Sequence, residues 1–280
     1  MKATEAGTKE SRKPCCGRGC SQRDSAEQEG YAEVLTDKRI TENNNFDVDT
    51  GGNKLMEGIL SQENLDRAYK QVKRNKGAHG VDGMEVEHLL QYLKDNGEEL
   101  VKLILDGRYC PNPVRRVEIP KDNGKMRKLG IPTAVDRVLQ QAIAQVLIPI
   151  FETQFAKTSY GFRPKRGAHD ALGKCVEYAN KGYTYVVDMD LEKFFDTVNQ
   201  SKMIEILSRT IKDGKEISLI HKYLREGAVD RGRSEETETG LVQGGNISPL
   251  CSNIMLNELD HELERRGIRF VRYADDRLRF

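Results

Sequence analysis

Two pairs of carboxylates define the chemistry available to this chain. The first lies in Val186-Val187-Asp188-Met189-Asp190-Leu191 and the second in Phe270-Val271-Arg272-Tyr273-Ala274-Asp275-Asp276. Each reads as a buried apolar strand that ends in acids. Side chains alternate along a strand, so Asp188 and Asp190 share one face. Negative charges at the ends of two core strands repel unless a cation sits between them. Carboxylate oxygens suit hard cations, so a pair of Mg²⁺ ions is the economical solution. Such a site supports in-line phosphoryl transfer, one metal activating the attacking oxygen and the other steadying the leaving group. A solvated turn or a helix cap is the plain alternative for any one of these acids.

The elements that position these acids come in mixed order. Ser61 caps a helix whose inner face is Leu65, Ala68, Tyr69 and Val72, and Gly77 closes it. A loop with Gly77, Gly80 and Gly83 leads to helical pieces carrying Leu89, Leu90 and Leu93, then Leu100, Leu103 and Ile104. Residues 114–119 and 126–131 read as a hairpin turning at Asp122-Asn123-Gly124. Val138, Leu139, Ala142, Ile143, Val146 and Leu147 mark an amphipathic helix ended by Pro149, and a second helix covers 167–180. A strand over 183–189 precedes helices near 203–211 and 217–224. Ser248-Pro249 supplies an N-cap and first-turn proline for a helix with Leu250, Ile254 and Leu259, and a strand over 268–273 runs into Asp275-Asp276. There is no βαβ regularity and no internal repeat, which predicts an α+β fold rather than a doubly wound sheet.

Composition narrows the class. The chain has 280 residues, of which 37% are hydrophobic and 32% charged, with no Trp. That is a charge-rich chain of soluble type, and its longest apolar run, 146–151, is too short to span a bilayer. Net charge is only +1, but the basic residues are segregated. Residues 108–137 hold eight Lys/Arg against three Asp/Glu, and residues 156–169 hold four basic residues and no acid. These blocks read either as a polyanion footprint or as an ordinary basic face. Cys110, Cys175 and Cys251 read as reduced thiols. Cys15, Cys16 and Cys20 cluster without a second pair at zinc-ligand spacing, so a metal site there has little support. Residues 1–53, rich in Lys, Glu, Ser, Gly and Asn and without apolar periodicity, read as a disordered or loosely held extension.

Six segments together resemble the reverse transcriptases encoded in group II introns. Tyr273-Ala274-Asp275-Asp276 is similar to their YADD signature, and the run from Asp190 to Asp196 to their first palm motif. Residues 243–250, Gln-Gly-Gly-Asn-Ile-Ser-Pro-Leu, resemble the motif between the two. Residues 119–132 resemble a fingers motif, as do 75–83 and 159–164. The resemblance runs from about residue 55 to 280, in order. It implies a right-hand polymerase, with 54–182 mainly fingers and an N-terminal RNA-binding segment, and 183–280 a partial palm, the thumb being absent.

The resemblance also implies roles. Asp190 and Asp275 would be the catalytic metal ligands for two Mg²⁺ ions, with the Leu191 carbonyl a further ligand, Asp276 part of the motif and Asp188 supporting. Lys121 and Arg127 would grip the incoming triphosphate, though by themselves they read as exposed hairpin charges. Phe195 stands where the family excludes a ribose 2′-OH; by itself it reads as core. Gln243 and Gly244 would line the nucleotide path, and Arg163, Lys165 and Arg166 would meet template phosphates. The implied function is RNA-directed DNA synthesis with a splicing (maturase) role. Its partners are intron RNA as template, a DNA primer and dNTPs, with no membrane and a homodimer allowed. The implied setting is a cytoplasmic ribonucleoprotein.

Two departures from the pattern stand out. The chain stops four residues after Asp276, where the family continues into thumb, and Arg277 and Arg279 replace more apolar residues. A truncated, catalytically idle RNA-binding remnant is therefore the competing reading. Retron, diversity-generating and CRISPR-associated reverse transcriptases are neighbouring classes, from which residues 75–83 separate this chain. A nucleotidyl cyclase would share the paired acids but not the other motifs.

Overall fold

The computed structural model describes residues 54–120, 124, 126–230, 233–235 and 238–280. The N-terminal extension with Cys15, Cys16 and Cys20, together with Lys121, Asp122 and Asn123, lies outside the described residues.

Two helices open the described fold, α1 (Lys54–Leu60) and α2 (Gln62–Asn75). Ser61 joins them, its hydroxyl accepting from the Asn64 amide at 3.4 Å, as a helix N-cap should. The leucine-rich pieces that follow form one helix, α3 (Leu89–Leu105), because its apolar face continues through Gly97. Strands β1 (Val114–Pro120) and β2 (Met126–Ile131) pair antiparallel, Val117 opposite Leu129. β1 also pairs in parallel with β4 (Ala228–Asp230), which turns back into β5 (Arg233–Glu235). The resulting sheet has the order β2-β1-β4-β5.

The core gathers on α4 (Ala134–Glu152), most of whose residues are buried. Its Ile143 and Leu147 are fully enclosed, each burial contributing about 1.5–3 kcal/mol. This helix is long and apolar enough to cross a membrane, yet here it lies inside the fold. Its polar residues find partners there. Gln145 Nε2 donates to Asn64 Oδ1 at 2.8 Å, and Asp136 accepts from the hydroxyls of Thr133 and Tyr109, each at 2.6 Å. Pro149 does not end the helix as its sequence position predicts. Proline removes one hydrogen bond in the last turn, and Ile150 and Phe151 are buried beyond it, so the helix carries on.

The second half contains α5 (Ala168–Asn180), β3 (Val187–Met189), the single turn α6 (Phe194–Thr197), α7 (Gln200–Thr210) and α8 (Gly214–Leu224). It ends with α9 (Ser248–Arg265), β6 (Phe270–Tyr273) and β7 (Asp276–Arg279). Ser248 is the first helical residue of α9 rather than its cap, which shifts the predicted start by one. A second sheet has the order β3-β7-β6, with both pairs antiparallel.

The predicted strand over 183–189 is shorter and more open than expected. Among the described residues, β3 is an edge strand paired with β7, which offers four residues, so 183–186 pass beyond the ladder. Tyr185 is 90% exposed and Val187 is also exposed, so the buried strand expected here is not found. The mixed order of elements agrees with the α+β reading.

Candidate active site

The register of the second sheet brings the two acid pairs together. Tyr273 faces Asp276 across the β6–β7 hairpin, leaving Ala274 and Asp275 as its turn. Asp188 faces Leu278 and Met189 faces Arg277, so the next pair in that register is Asp190 and Asp276. Directly opposed residues point to the same face, which puts Asp188, Asp190 and Asp276 on one side of the sheet. Arg272 and Arg277 point to the other side, against α9.

The electrostatics agree with this convergence. The Asp276 carboxyl is raised above the ordinary range, first by its partial removal from water and then by the charges of Asp275, Asp190 and Asp188. None of the four acids forms an ion pair among the described residues. A set of oxygen-only donors with uncompensated negative charge fits a hard divalent cation. Among the described residues, no three His, Cys, Asp or Glu side chains are arranged to hold a metal ion. Leu191 directly follows Asp190 and is exposed.

The candidate nucleotide contacts also meet. Arg127 Nε donates to Gln243 Oε1 at 2.9 Å, and the Gly130 amide donates to the Gln243 carbonyl at 2.7 Å. Gly244, at φ +113°, lies against the Gly130 carbonyl where no Cβ would fit. The loop carrying Gln243 is tied in turn to Phe195, whose carbonyl accepts from the Leu241 amide at 2.6 Å. Phe195 is half-buried and meets Phe194 edge-on, the ring centroids 5.6 Å apart.

The basic run after Tyr160 divides. Lys165 is exposed, and Arg166 is half-buried over the Tyr160 ring, donating to the Lys157 and Ser159 carbonyls. Arg163 is turned inward and is 2% exposed. It donates to Glu152 and to the carbonyls of Ala156 and Ser159, over the Phe155 ring. That geometry leaves Arg163 no face for a template phosphate, and it acts as a brace inside the protein.

Several residues at the site carry no obvious sequence signal. Gly161 lies under the hairpin turn, where an added Cβ would stand 2.9 Å from Ala274 Cα. Asn253 in α9 donates to the Gly161 carbonyl at 2.9 Å, joining the helix to the same turn. Asp260, seven residues further along α9, binds both Arg272 and Arg277. The signal available in the sequence was an arginine inside an apolar strand, which needs a buried acid for a partner. The loop over 75–83 is also anchored: Arg137 donates to the Lys76 and Ala78 carbonyls, and Arg115 to the His79 carbonyl.

Comparison with known proteins agrees with this arrangement. The family described as reverse transcriptase (RNA-dependent DNA polymerase) matches residues 119–280. Protein YkfC of Escherichia coli is 40% identical over 219 residues, covering 76% of this chain and 58% of its own length. The group II intron-encoded protein LtrA of Lactococcus lactis subsp. cremoris is 34% identical over 242 residues, covering 86% and 40%. The COX1/OXI3 intron 2 protein of Saccharomyces cerevisiae is 30% identical, covering 81% and 27%. The chain thus spans about half the length of the first two of these relatives, and less of the third. Among solved structures, a chain of a partial Cas6-RT-Cas1–Cas2 complex superposes with a TM-score of 0.53 at 22% identity, covering 80% of this chain and 38% of that one. That likeness supports the fold.

Proposed function

The chain belongs to the reverse transcriptase family, and from that premise we propose that it is the fingers and partial palm of a group II intron polymerase that copies RNA into DNA. Members of this family act on a nucleic-acid template and primer with a divalent metal. The similarity to LtrA and to a yeast intron protein supports an intron RNA as the template and a maturase role beside synthesis. A cytoplasmic ribonucleoprotein is the corresponding setting.

The observation that carries this reading is the β3–β7–β6 register, which puts Asp188, Asp190 and Asp276 on one face with Asp275 in the adjoining turn, their charges converging on Asp276. RNA binding alone gives no use to acids whose charges converge on Asp276. Asp190, Asp275 and the Leu191 carbonyl would hold two Mg²⁺ ions. When bound, these ions help ionise the primer 3′-hydroxyl and neutralise charge on the departing pyrophosphate.

The remaining work falls to the chain's own groups. Arg127 is held by Gln243 and is positioned to exchange that partner for a triphosphate oxygen, a stronger charge-assisted bond. Lys121, the residue after Pro120 in the sequence, would add a point charge. Phe195 would lie under the incoming sugar and leave no room for a 2′-hydroxyl. Gly244 lets the backbone approach the base pair closely. Lys165 and Arg166 would track template phosphates.

The test is incorporation of a labelled dNTP on a primed RNA template with Mg²⁺. Incorporation that follows template sequence supports the reading. Its absence, with RNA binding intact, returns the chain to the binding class.

A further inference from the structure

Behind the acid-bearing hairpin lies a group of charged side chains shut away from water. Arg272 in β6 and Asp260 in α9 are both 0% exposed, and Arg277 in β7 is 3% exposed. Arg272 reaches Asp260 Oδ2 with Nε and Nη2, each at 2.8 Å, while Asp260 Oδ1 accepts from Arg277 Nη2 at 2.7 Å. Arg272 Nη1 donates to Asn253 Oδ1 and to the Ala274 carbonyl, each at 2.8 Å. Burial pushes the Arg272 guanidinium down from its ordinary range, and Asp260 works against that shift.

Ion groups buried in this way add little stability over a well-packed apolar filling. What an apolar filling could not do is grip a backbone oxygen. Ala274 sits at φ +56°, a left-handed conformation in which a residue with a Cβ is strained. Gly161 packs against that turn, and Arg272 Nη1 holds the Ala274 carbonyl. The next residue is Asp275.

We propose that Arg272, set in place by Asp260 and Asn253, is the positioning residue that holds Ala274 in its left-handed conformation and so aims the Asp275 carboxylate. Arg277 secures the second Asp260 oxygen, so the carboxylate cannot rotate away from Arg272. The proposal rests on the reading of Asp275 as a catalytic group.

Arg272→Lys keeps the charge but loses the planar fork, and cannot serve Asp260, Asn253 and Ala274 together. Two measurements below the melting midpoint test the proposal: single-nucleotide addition on a primed RNA template, and amide hydrogen exchange across the β6–β7 turn. Arg272→Lys should lower kcat by about 10- to 100-fold, as expected for a displaced reacting group. KM for the dNTP should stay within about twofold. Exchange of the Asp275 and Asp276 amides should quicken by about tenfold, with the rest of α9 unchanged. Asn253→Ala removes one of the Arg272 partners and the bond to the Gly161 carbonyl but leaves the Arg272–Asp260 pair, and should shift both readouts the same way by less. This second variant decides the matter if Arg272→Lys does not fold. Arg209→Gln, which breaks a surface ion pair to Glu258, should change neither readout.

Unchanged exchange at the turn, or a loss confined to KM, overturns the proposal. If the unmodified protein adds no nucleotide while turn exchange responds as stated, the catalytic reading of Asp275 fails and the positioning stands.

Discussion

Gly161 lies directly beneath Ala274, so close that a methyl group on Gly161 would stand 2.9 Å from the Ala274 Cα. The loop after α4 and the turn that presents Asp275 are therefore one packed unit. The glycine is set by its neighbour's backbone, since its own φ lies outside the positive range. Gly161→Ala should destabilise the protein by about 1–3 kcal/mol, the usual range for forcing atoms into a filled space. The melting midpoint measures this, and a variant as stable as the parent would mean the two backbones can separate freely.

Arg163 and Lys165 are two residues apart and should behave in opposite ways. Arg163→Gln breaks a half-buried ion pair with Glu152 and two buried bonds to carbonyls, and should cost about 1.5–3 kcal/mol of stability. Lys165→Gln should leave the melting midpoint alone and weaken RNA binding. The slope of log affinity against log salt should fall in magnitude by about 0.7, as for one lost contact to a single strand. Filter binding at several salt concentrations, beside thermal melts, separates the two.

Much of this arrangement is legible in the residues themselves. Alternation and hairpin signals place β1, β2, β6 and the acids at strand ends, and the similarity of six ordered segments gives the architecture. The limits are physical. The β3 boundaries depend on how many residues β7 offers, which is a long-range property. Arg163 reads as a template contact because a basic run looks solvated until Glu152 and two carbonyls are seen to enclose one member of it. The partners of Arg272 sit in another element, 12 and 19 residues away. Pattern alone cannot choose among the acids available.

Stability should depend on pH through Glu216. Burial first, and the Asp213 charge second, push its carboxyl up to about 8, and neither oxygen has a hydrogen-bond partner among the described residues. The folded state thus holds a proton that the unfolded chain releases near its ordinary value of 4.5. The stabilisation is complete below that value and is lost as pH rises toward 8, levelling off above it. The loss is on the order of 5 kcal/mol. Glu216→Gln should flatten the slope and exceed the parent in stability at alkaline pH. Glu226, also raised by burial and then by Asp136, adds a parallel slope that the comparison cancels. Urea melts at acidic, neutral and alkaline pH provide the check, and identical slopes for the two proteins would contradict it.

Phe195 offers a test of sugar choice. If its ring lies under the incoming sugar, Phe195→Val opens room for a 2′-hydroxyl. Ribonucleotide incorporation should then rise by about tenfold relative to deoxynucleotide, the scale of a small volume change in a pocket. A competition assay with both sugars measures the ratio. An unchanged ratio in an active variant would assign Phe195 to the core alone, beside Phe194.

The central claim is that Asp190 and Asp275 jointly hold the metal that drives nucleotide addition. The direct measurement is extension of a primed RNA template by Asp190→Asn and Asp275→Asn, each beside filter binding of the same RNA. Asparagine keeps the shape and removes the charge. Extension should fall by on the order of 10³-fold or more in each variant, because the charge that holds the cation is gone. RNA affinity should stay within about threefold, since the phosphate contacts lie elsewhere. Extension by either variant at a rate near that of the parent would contradict the account.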